Sequence, residues 1–68
     1  MATLALRHHG ADTNVPLGRY RMTLYTDRGH HESTTRVTAP HTLGSLAADL
    51  AALFNFPGNV VDLVITPE

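Results

Sequence analysis

The chain has 68 residues, of which 43% are hydrophobic and 16% charged, with no cysteine and a formal net charge of −1. A chain of this length buries only about 60% of the surface that its unfolded form exposes, so we expect one small domain, residues 1–68, of limited stability. The lack of cysteine excludes disulfides, thiolate zinc sites and cysteine nucleophiles. Self-association or histidine chemistry would then be the remaining means of extra stabilisation.

The N-terminal segment predicts a strand rather than a leader sequence. Only a few apolar residues precede Arg7 and the two histidines after it. This apolar stretch is too short for a secretory signal peptide. Residues 2–8 alternate between apolar and polar side chains, the pattern of a half-buried strand. The longest apolar stretch, residues 43–56, is interrupted by polar residues and falls short of the roughly 18 to 20 that cross a bilayer. We therefore expect a cytoplasmic protein that does not contact membranes.

A loop and a clear strand follow. Residues 9–18 are rich in Gly, Asn, Asp and Pro, which favour turn geometry, and they predict a surface loop. Residues 19–26 alternate strictly between apolar and polar side chains. This alternation predicts a strand that turns Tyr20, Met22 and Leu24 toward the core and its arginines toward solvent.

The third strand is predicted from its β-branched residues rather than from hydrophobicity. Residues 27–30 favour a hairpin turn, and residues 31–39 contain many Ser, Thr and Val residues. A strand with so few apolar residues is typical of a sheet edge.

One amphipathic helix and one buried strand complete the predicted fold. Pro40 ends the third strand, and Thr42 offers an N-cap hydroxyl. Apolar residues recur at helical spacing over residues 43–54. Residues 60–66 are apolar on both faces apart from Asp62, which predicts a central strand. A carboxylate in such a strand is expected to pair with an arginine or a backbone donor.

The predicted order of elements is βββαβ. We expect an α+β fold in which a four-stranded, mostly antiparallel sheet is covered on one face by one helix. The first three strands would form an antiparallel meander, and the helix would carry the chain to a fourth strand parallel to the third. The other face of the sheet would remain open to water or to a partner.

Candidate partner-binding residues are concentrated on that open face. The alternation gives it most of the arginines and one tyrosine, namely Arg7, Arg19, Arg21, Tyr25 and Arg36. With the core residues of the second and third strands facing one another, Arg21 lies directly opposite Arg36. Like charges so placed destabilise a strand pair, and an anionic partner would relieve the cost. A register shifted by one residue would separate the two arginines, and an ordinary solvated strand face is the alternative interpretation.

The sequence favours a non-enzymatic interaction module. It would bind a protein partner, or itself as a homodimer, through the open Arg/Tyr face or an edge strand. All five basic residues other than histidine are arginine, which suggests a GC-rich bacterial or phage source and an accessory or inhibitory protein of a mobile element. Nucleic-acid binding through the same arginines is the alternative, which the net charge of −1 weakens. Because the sequence contains no glycine-rich phosphate loop and no nucleophile elbow, we predict no enzyme activity and no cofactor.

Five histidines are the most unusual feature of the composition. Neutral imidazole is the commonest protein ligand for metals. In the predicted sheet, His8 or His9 could converge with His41, and these three are the candidate ligands of a divalent metal ion. The alternatives are surface histidines without a shared role and histidines that make self-association depend on pH.

Overall fold

The larger sheet of this protein has four antiparallel strands, as a computed structural model that describes residues 2–68 shows. The elements in chain order are β1 (Leu4–Ala5), α1 (Leu6–His9), β2 (Asn14–Val15), β3 (Gly18–Thr26), β4 (Gly29–Val37), β5 (His41–Thr42), α2 (Leu43–Phe54) and β6 (Val60–Pro67). The larger sheet has the strand order β1-β6-β3-β4, while β2 and β5 form a separate ribbon. Because α2 packs against one side of this sheet, the predicted α+β class is confirmed.

The strand order differs from the predicted meander. β6 lies between β1 and β3 and pairs antiparallel with both. It runs parallel to β4 as expected, but on the far side of β3. Leu63 and Ile65 of β6 are buried in the core, and Val64 on the other face is half-buried. A strand that is apolar on both faces is stabilised by a neighbour on each side, so the predictions of a central β6 and an edge β4 are both confirmed.

The first strand is shorter than predicted. Of residues 2–8, only Leu4–Ala5 pair with β6, and the chain then enters the one-turn helix Leu6–His9. Leu4 and Leu6 are half-buried against the core. Alternation along residues 2–8 did not reveal this change from strand to helix.

The predicted loop at residues 9–18 contains a strand and caps the main helix. Within it, β2 pairs with β5 immediately before α2. The carbonyl of Thr13 accepts a hydrogen bond from the backbone N of Leu43 at 2.8 Å, and that of Ala11 accepts one from Gly44 at 2.9 Å. These bonds satisfy helix amides that have no partner within the helix. The loop is therefore tied to the N-terminus of α2.

The helix α2 has the predicted bounds. Thr42 is its N-cap: its hydroxyl accepts from Ser45 N at 3.2 Å, and Ser45 Oγ accepts from Thr42 N at 3.0 Å. This reciprocal arrangement is a capping box. Asn55 ends the helix in the left-handed conformation. The buried side chains of α2 are Leu43, Leu46, Ala47 and Leu50. Across residues 2–68, no helix is long and apolar enough to cross a membrane.

The β3–β4 hairpin has a two-residue turn. Thr26 pairs with Gly29, which leaves Asp27 and Arg28 as the turn. A carboxylate oxygen of Asp27 accepts a hydrogen bond from Asn59 N at 2.9 Å. The turn falls within the predicted residues 27–30 but is shorter, so β4 begins at Gly29 rather than residue 31 and ends at Val37 rather than residue 39. The turn is anchored to the segment that precedes β6.

Candidate functional site

The side of the sheet away from α2, here called the open face, carries most of the charged strand residues. Its side chains are Arg19, Arg21, Thr23 and Tyr25 of β3, His30, Glu32, Thr34 and Arg36 of β4, and Asp62, Val64 and Thr66 of β6. The intervening residues of β3, Tyr20, Met22 and Leu24, are buried as predicted. The alternation of β3 and β4 therefore assigned the side chains to the correct faces.

Two arginines lie directly opposite one another on the open face, but the pair is not the predicted one. Arg19 pairs with Arg36, and Arg21 pairs with Thr34. The prediction allowed four residues for the turn, whereas two form it, so the register moves by two. Because side chains alternate with a period of two, this shift changes partners and leaves every side chain on its predicted face.

The opposed arginines stand close together. Arg19 O accepts a hydrogen bond from Glu68 N at 3.0 Å, so the backbone polar groups of Arg19 face the β6 side of β3. Arg19 and Arg36 therefore form a non-hydrogen-bonded pair, in which Cα atoms are only about 4.5 Å apart and the side chains approach most closely.

No carboxylate oxygen of residues 2–68 lies within 4.0 Å of the arginine cluster, the name used here for Arg19, Arg21 and Arg36. Glu68 is nevertheless beside it, because its backbone N bonds to Arg19 O and it lines one depression with Arg21. The contact found within 4.0 Å between a basic side chain and a carboxylate of the described residues joins His41 and Asp49 instead. All three arginines are exposed. The end of the open face remote from the hairpin turn therefore carries three exposed arginines, with Glu68 beside them.

Tyr25 and Arg7 lie at the other end of the open face. Tyr25 is 40% exposed, and its ring centroid is 5.9 Å from that of His30. An open depression of about 360 Å³ is lined by Arg7, Tyr25, Thr26, Val61, Asp62 and Val64. Tyr25 is four residues from Arg21 along β3, or about 13 Å. The five predicted binding residues thus fall into two groups rather than one patch.

Asp62 joins α1 to the sheet. Its Oδ1 accepts hydrogen bonds from Arg7 N at 2.9 Å and Leu63 N at 2.8 Å. The first of these satisfies an amide at the start of α1, whose own N-cap residue supplies no side-chain bond. The predicted pairing of Asp62 with a backbone donor is confirmed, and its role here is to hold α1 beside the open face.

The predicted metal ligands are not brought together. Within residues 2–68, no group of three His, Cys, Asp or Glu side chains could hold a metal ion. His8 and His9 lie in α1, where His9 Nδ1 is 3.1 Å from the backbone N of Ala5. His41 Nδ1 is 3.0 Å from Ser45 Oγ. The convergence of His8 or His9 with His41 depended on a full-length first strand, which the structure replaces with a helical turn.

His41, Ser45 and Asp49 form a short row along the first turns of α2. The His41 ring contacts Ser45 Oγ at 3.0 Å and Asp49 Oδ2 at 3.6 Å. A serine, a histidine and an aspartate in a row resemble a nucleophile and its base, but Ser45 Oγ is held by the backbone of Thr42 in the capping box. The amides of the first turn are also bonded, to Thr13, Ala11 and Thr42. No donor of that turn is left to stabilise an oxyanion, and Ser45 Oγ acts in the helix cap.

Searches of family models, curated proteins and solved structures find no match to this chain. The candidate site accordingly stands on its own geometry: an exposed arginine cluster at one end of the open face and a tyrosine beside a depression at the other.

Proposed function

We propose that this protein is a non-enzymatic interaction module whose open face binds an acidic surface of a partner protein. The arginine cluster carries the proposal, because Arg19 and Arg36 oppose one another with no carboxylate within 4.0 Å in residues 2–68. A guanidinium group fits a carboxylate through two parallel hydrogen bonds. Acidic side chains of a partner would therefore offset a repulsion that the isolated chain bears.

The mixed charge of the open face favours a protein over a nucleic acid. Glu32 and Asp62 lie on the same face as the arginine cluster, and the chain as a whole has a net charge of −1. Nucleic-acid-binding domains usually carry a basic excess, and a phosphate backbone would meet these carboxylates as well as the arginines. A protein surface can place basic groups against these carboxylates and acidic groups against the arginines.

Tyr25 and Val61 supply an apolar anchor for the same partner. They are 40% and 43% exposed and border the depression beside Arg7. Exposed tyrosine and arginine side chains are enriched among residues that dominate binding energy at protein interfaces. The form of this function that the sequence predicts is an accessory or inhibitory protein of a bacterial mobile element, acting in the cytoplasm.

The test is a selection from a random-peptide display library on the immobilised protein, followed by fluorescence anisotropy with the enriched peptides. We expect enrichment of Asp and Glu over the starting library. The double variant R19Q/R21Q should bind the enriched peptides at least about tenfold more weakly, since tenfold corresponds to about 1.4 kcal/mol and two charge-assisted bonds are lost. The matched control is Arg28→Gln, which removes the arginine of the hairpin turn and should bind as the wild type does.

Three outcomes would overturn the proposal. A selection that yields no binders, or binders without acidic enrichment, removes the charge argument. Acidic peptides that bind R19Q/R21Q and the wild type equally place the interface elsewhere. A single-stranded oligonucleotide that binds more tightly than the enriched peptides at the same salt concentration, with an affinity that falls steeply as salt is added, would identify a nucleic-acid-binding protein instead.

A further inference from the structure

β4 gives the sheet a long free edge. The strand is nine residues long, pairs with β3 without a register shift and has no strand on its other side within residues 2–68. Because Thr26 and Gly29 close a two-residue hairpin, hydrogen-bonded pairs alternate from that point. The backbone N–H and C=O groups of His30, Glu32, Thr34 and Arg36 therefore point away from β3.

The β4 edge has few of the features that prevent an edge strand from pairing with a strand of another chain. Prolines, lysines and bulges commonly prevent such strands from pairing with other chains. Residues 29–37 contain no proline and no lysine, and their pairing with β3 has no bulge. The opposite edge of the sheet is different, because β1 is only two residues long and α1 follows it directly.

The charges of β4 are complementary to those of a second β4 in one antiparallel register. Only registers that place outward-facing backbone groups opposite one another allow pairing. A two-fold axis at Glu32 would oppose two glutamates, and an axis at Arg36 would oppose two arginines. An axis at Thr34 instead places Glu32 of each copy opposite Arg36 of the other.

We propose that two copies of this chain pair through β4 in that register and form one continuous eight-stranded sheet. Each Glu32 would lie beside the Arg36 of the second copy and offset its repulsion by Arg19. The pairs Thr34 with Thr34 and Ser33 with Thr35 add cross-strand contacts between hydroxyl-bearing side chains. Such an interface is isologous and closes at two copies.

The dimer would double the open face. The two-fold axis of an antiparallel strand pair is perpendicular to the sheet, so both open faces point to the same side. The arginine clusters of the two copies would then lie on either side of the axis. Formation of the dimer depends on the edge of β4 and not on the acidic partner proposed above.

The test uses charge exchange between Glu32 and Arg36, with mass measured by sedimentation equilibrium over a concentration series. We expect the wild type to dimerise as its concentration rises. Glu32→Arg and Arg36→Glu should each be monomeric, because the two-fold axis repeats every like-charge contact. The double variant E32R/R36E should dimerise again. An equimolar mixture of the two single variants should form heterodimers, detected by native mass spectrometry, because all charges in that pair are complementary.

Two further variants separate pairing from folding. Thr34→Pro removes an outward-facing N–H that makes no bond to β3, so it should keep the circular dichroism spectrum of the wild type and remain monomeric. Arg28→Glu changes the charge at the hairpin turn and should dimerise as the wild type does. The proposal is overturned if the wild type is monomeric at about 1 mM, where an association of even about 4 kcal/mol would be visible. It is equally overturned if either single charge variant dimerises like the wild type or if the mixture forms no heterodimers.

Discussion

Arg19 and Arg36 illustrate a conflict between stability and binding at the level of single residues. Directly opposed like charges destabilise a strand pair by up to about 1 kcal/mol. We therefore expect Arg19→Gln to raise the midpoint of thermal unfolding by about 2–4 °C, because roughly 0.5 kcal/mol corresponds to such a shift in a domain of this size. The measurement is thermal circular dichroism of a dilute sample at low ionic strength.

The control for this prediction is Arg28→Gln, which should leave the midpoint unchanged because Arg28 lies in the turn, apart from other arginines of the sheet. Adding about 0.5 M salt should remove most of the gain, since salt screens exposed charges. A midpoint that stays the same or falls in Arg19→Gln would show that the two side chains avoid one another at no cost.

The face of each residue in the hairpin could be predicted from the sequence, but its partner could not. Tyr20, Met22 and Leu24 alternate with polar residues, and this period of two is a local property of the strand. The register depends on how many residues form the turn, and residues 27–30 are compatible with a two-residue or a four-residue turn. The predicted arginine pair was therefore misplaced by two positions while the open face was assigned correctly.

At the level of elements, α2 could be predicted and its surroundings could not. Its N-cap threonine, its apolar periodicity and the Asn, Pro and Gly residues after it are all local signals. By contrast, β2 exists because it pairs with β5, which lies 27 residues further along. Similarly, α1 begins where Asp62, 55 residues away, accepts a bond from Arg7 N. No local pattern can specify elements whose partners are so distant.

Gly44 gives a prediction about how the loop and α2 fit together. A glycine-to-alanine change within a helix normally stabilises by up to about 1 kcal/mol. At Gly44, however, an added Cβ would lie 2.9 Å from Ala11 Cβ and 3.2 Å from Ala11 O. The carbonyl of Ala11 is also the acceptor for Gly44 N. We expect Gly44→Ala to destabilise the protein by about 1–3 kcal/mol, measured by urea denaturation.

A second variant tests whether contact with Ala11 causes the loss of stability in Gly44→Ala. In A11G/G44A the contact with Ala11 Cβ is removed while the carbonyl remains, so part of the lost stability should return. Ala48→Gly, at an exposed position of the same helix, should lower the free energy of unfolding by only about 1 kcal/mol, the usual difference in helix propensity between alanine and glycine. If Gly44→Ala stabilises the protein, the loop does not hold the position that its hydrogen bonds to α2 indicate.

At the level of the whole molecule, the two edges of the sheet differ: among the described residues β4 is long and unpaired on its outer side, whereas the other edge is formed by the short β1 and by α1. The apolar pattern of residues 60–66 predicts a central strand, but it cannot identify the neighbours. A meander of the first three strands would leave this strand at an edge of the sheet, whereas in the observed order β6 lies between β1 and β3. The outer neighbour β1 is held at β6 by the packing of Leu4 and Leu6 against the core and by the hydrogen bond that Asp62 accepts from Arg7 N of α1. The result is a sheet with one covered edge and one free edge.

Removing β1 and α1, which cover one edge of the sheet, should convert the proposed closed dimer into an open-ended assembly. A chain that begins at Gly10 lacks β1, α1 and the half-buried Leu4 and Leu6, a loss of roughly 2–4 kcal/mol from a small total stability. It also frees the edge of β6, where apolar side chains occupy both faces. With β4 and β6 both free, pairing at one edge no longer prevents pairing at the other, and copies can add without limit. We expect a lower unfolding midpoint and light scattering that grows with concentration, whereas the truncated chain carrying Thr34→Pro should aggregate less because one edge is blocked. A truncated chain that keeps the wild-type midpoint and mass would mean that β1 and α1 do not protect the sheet.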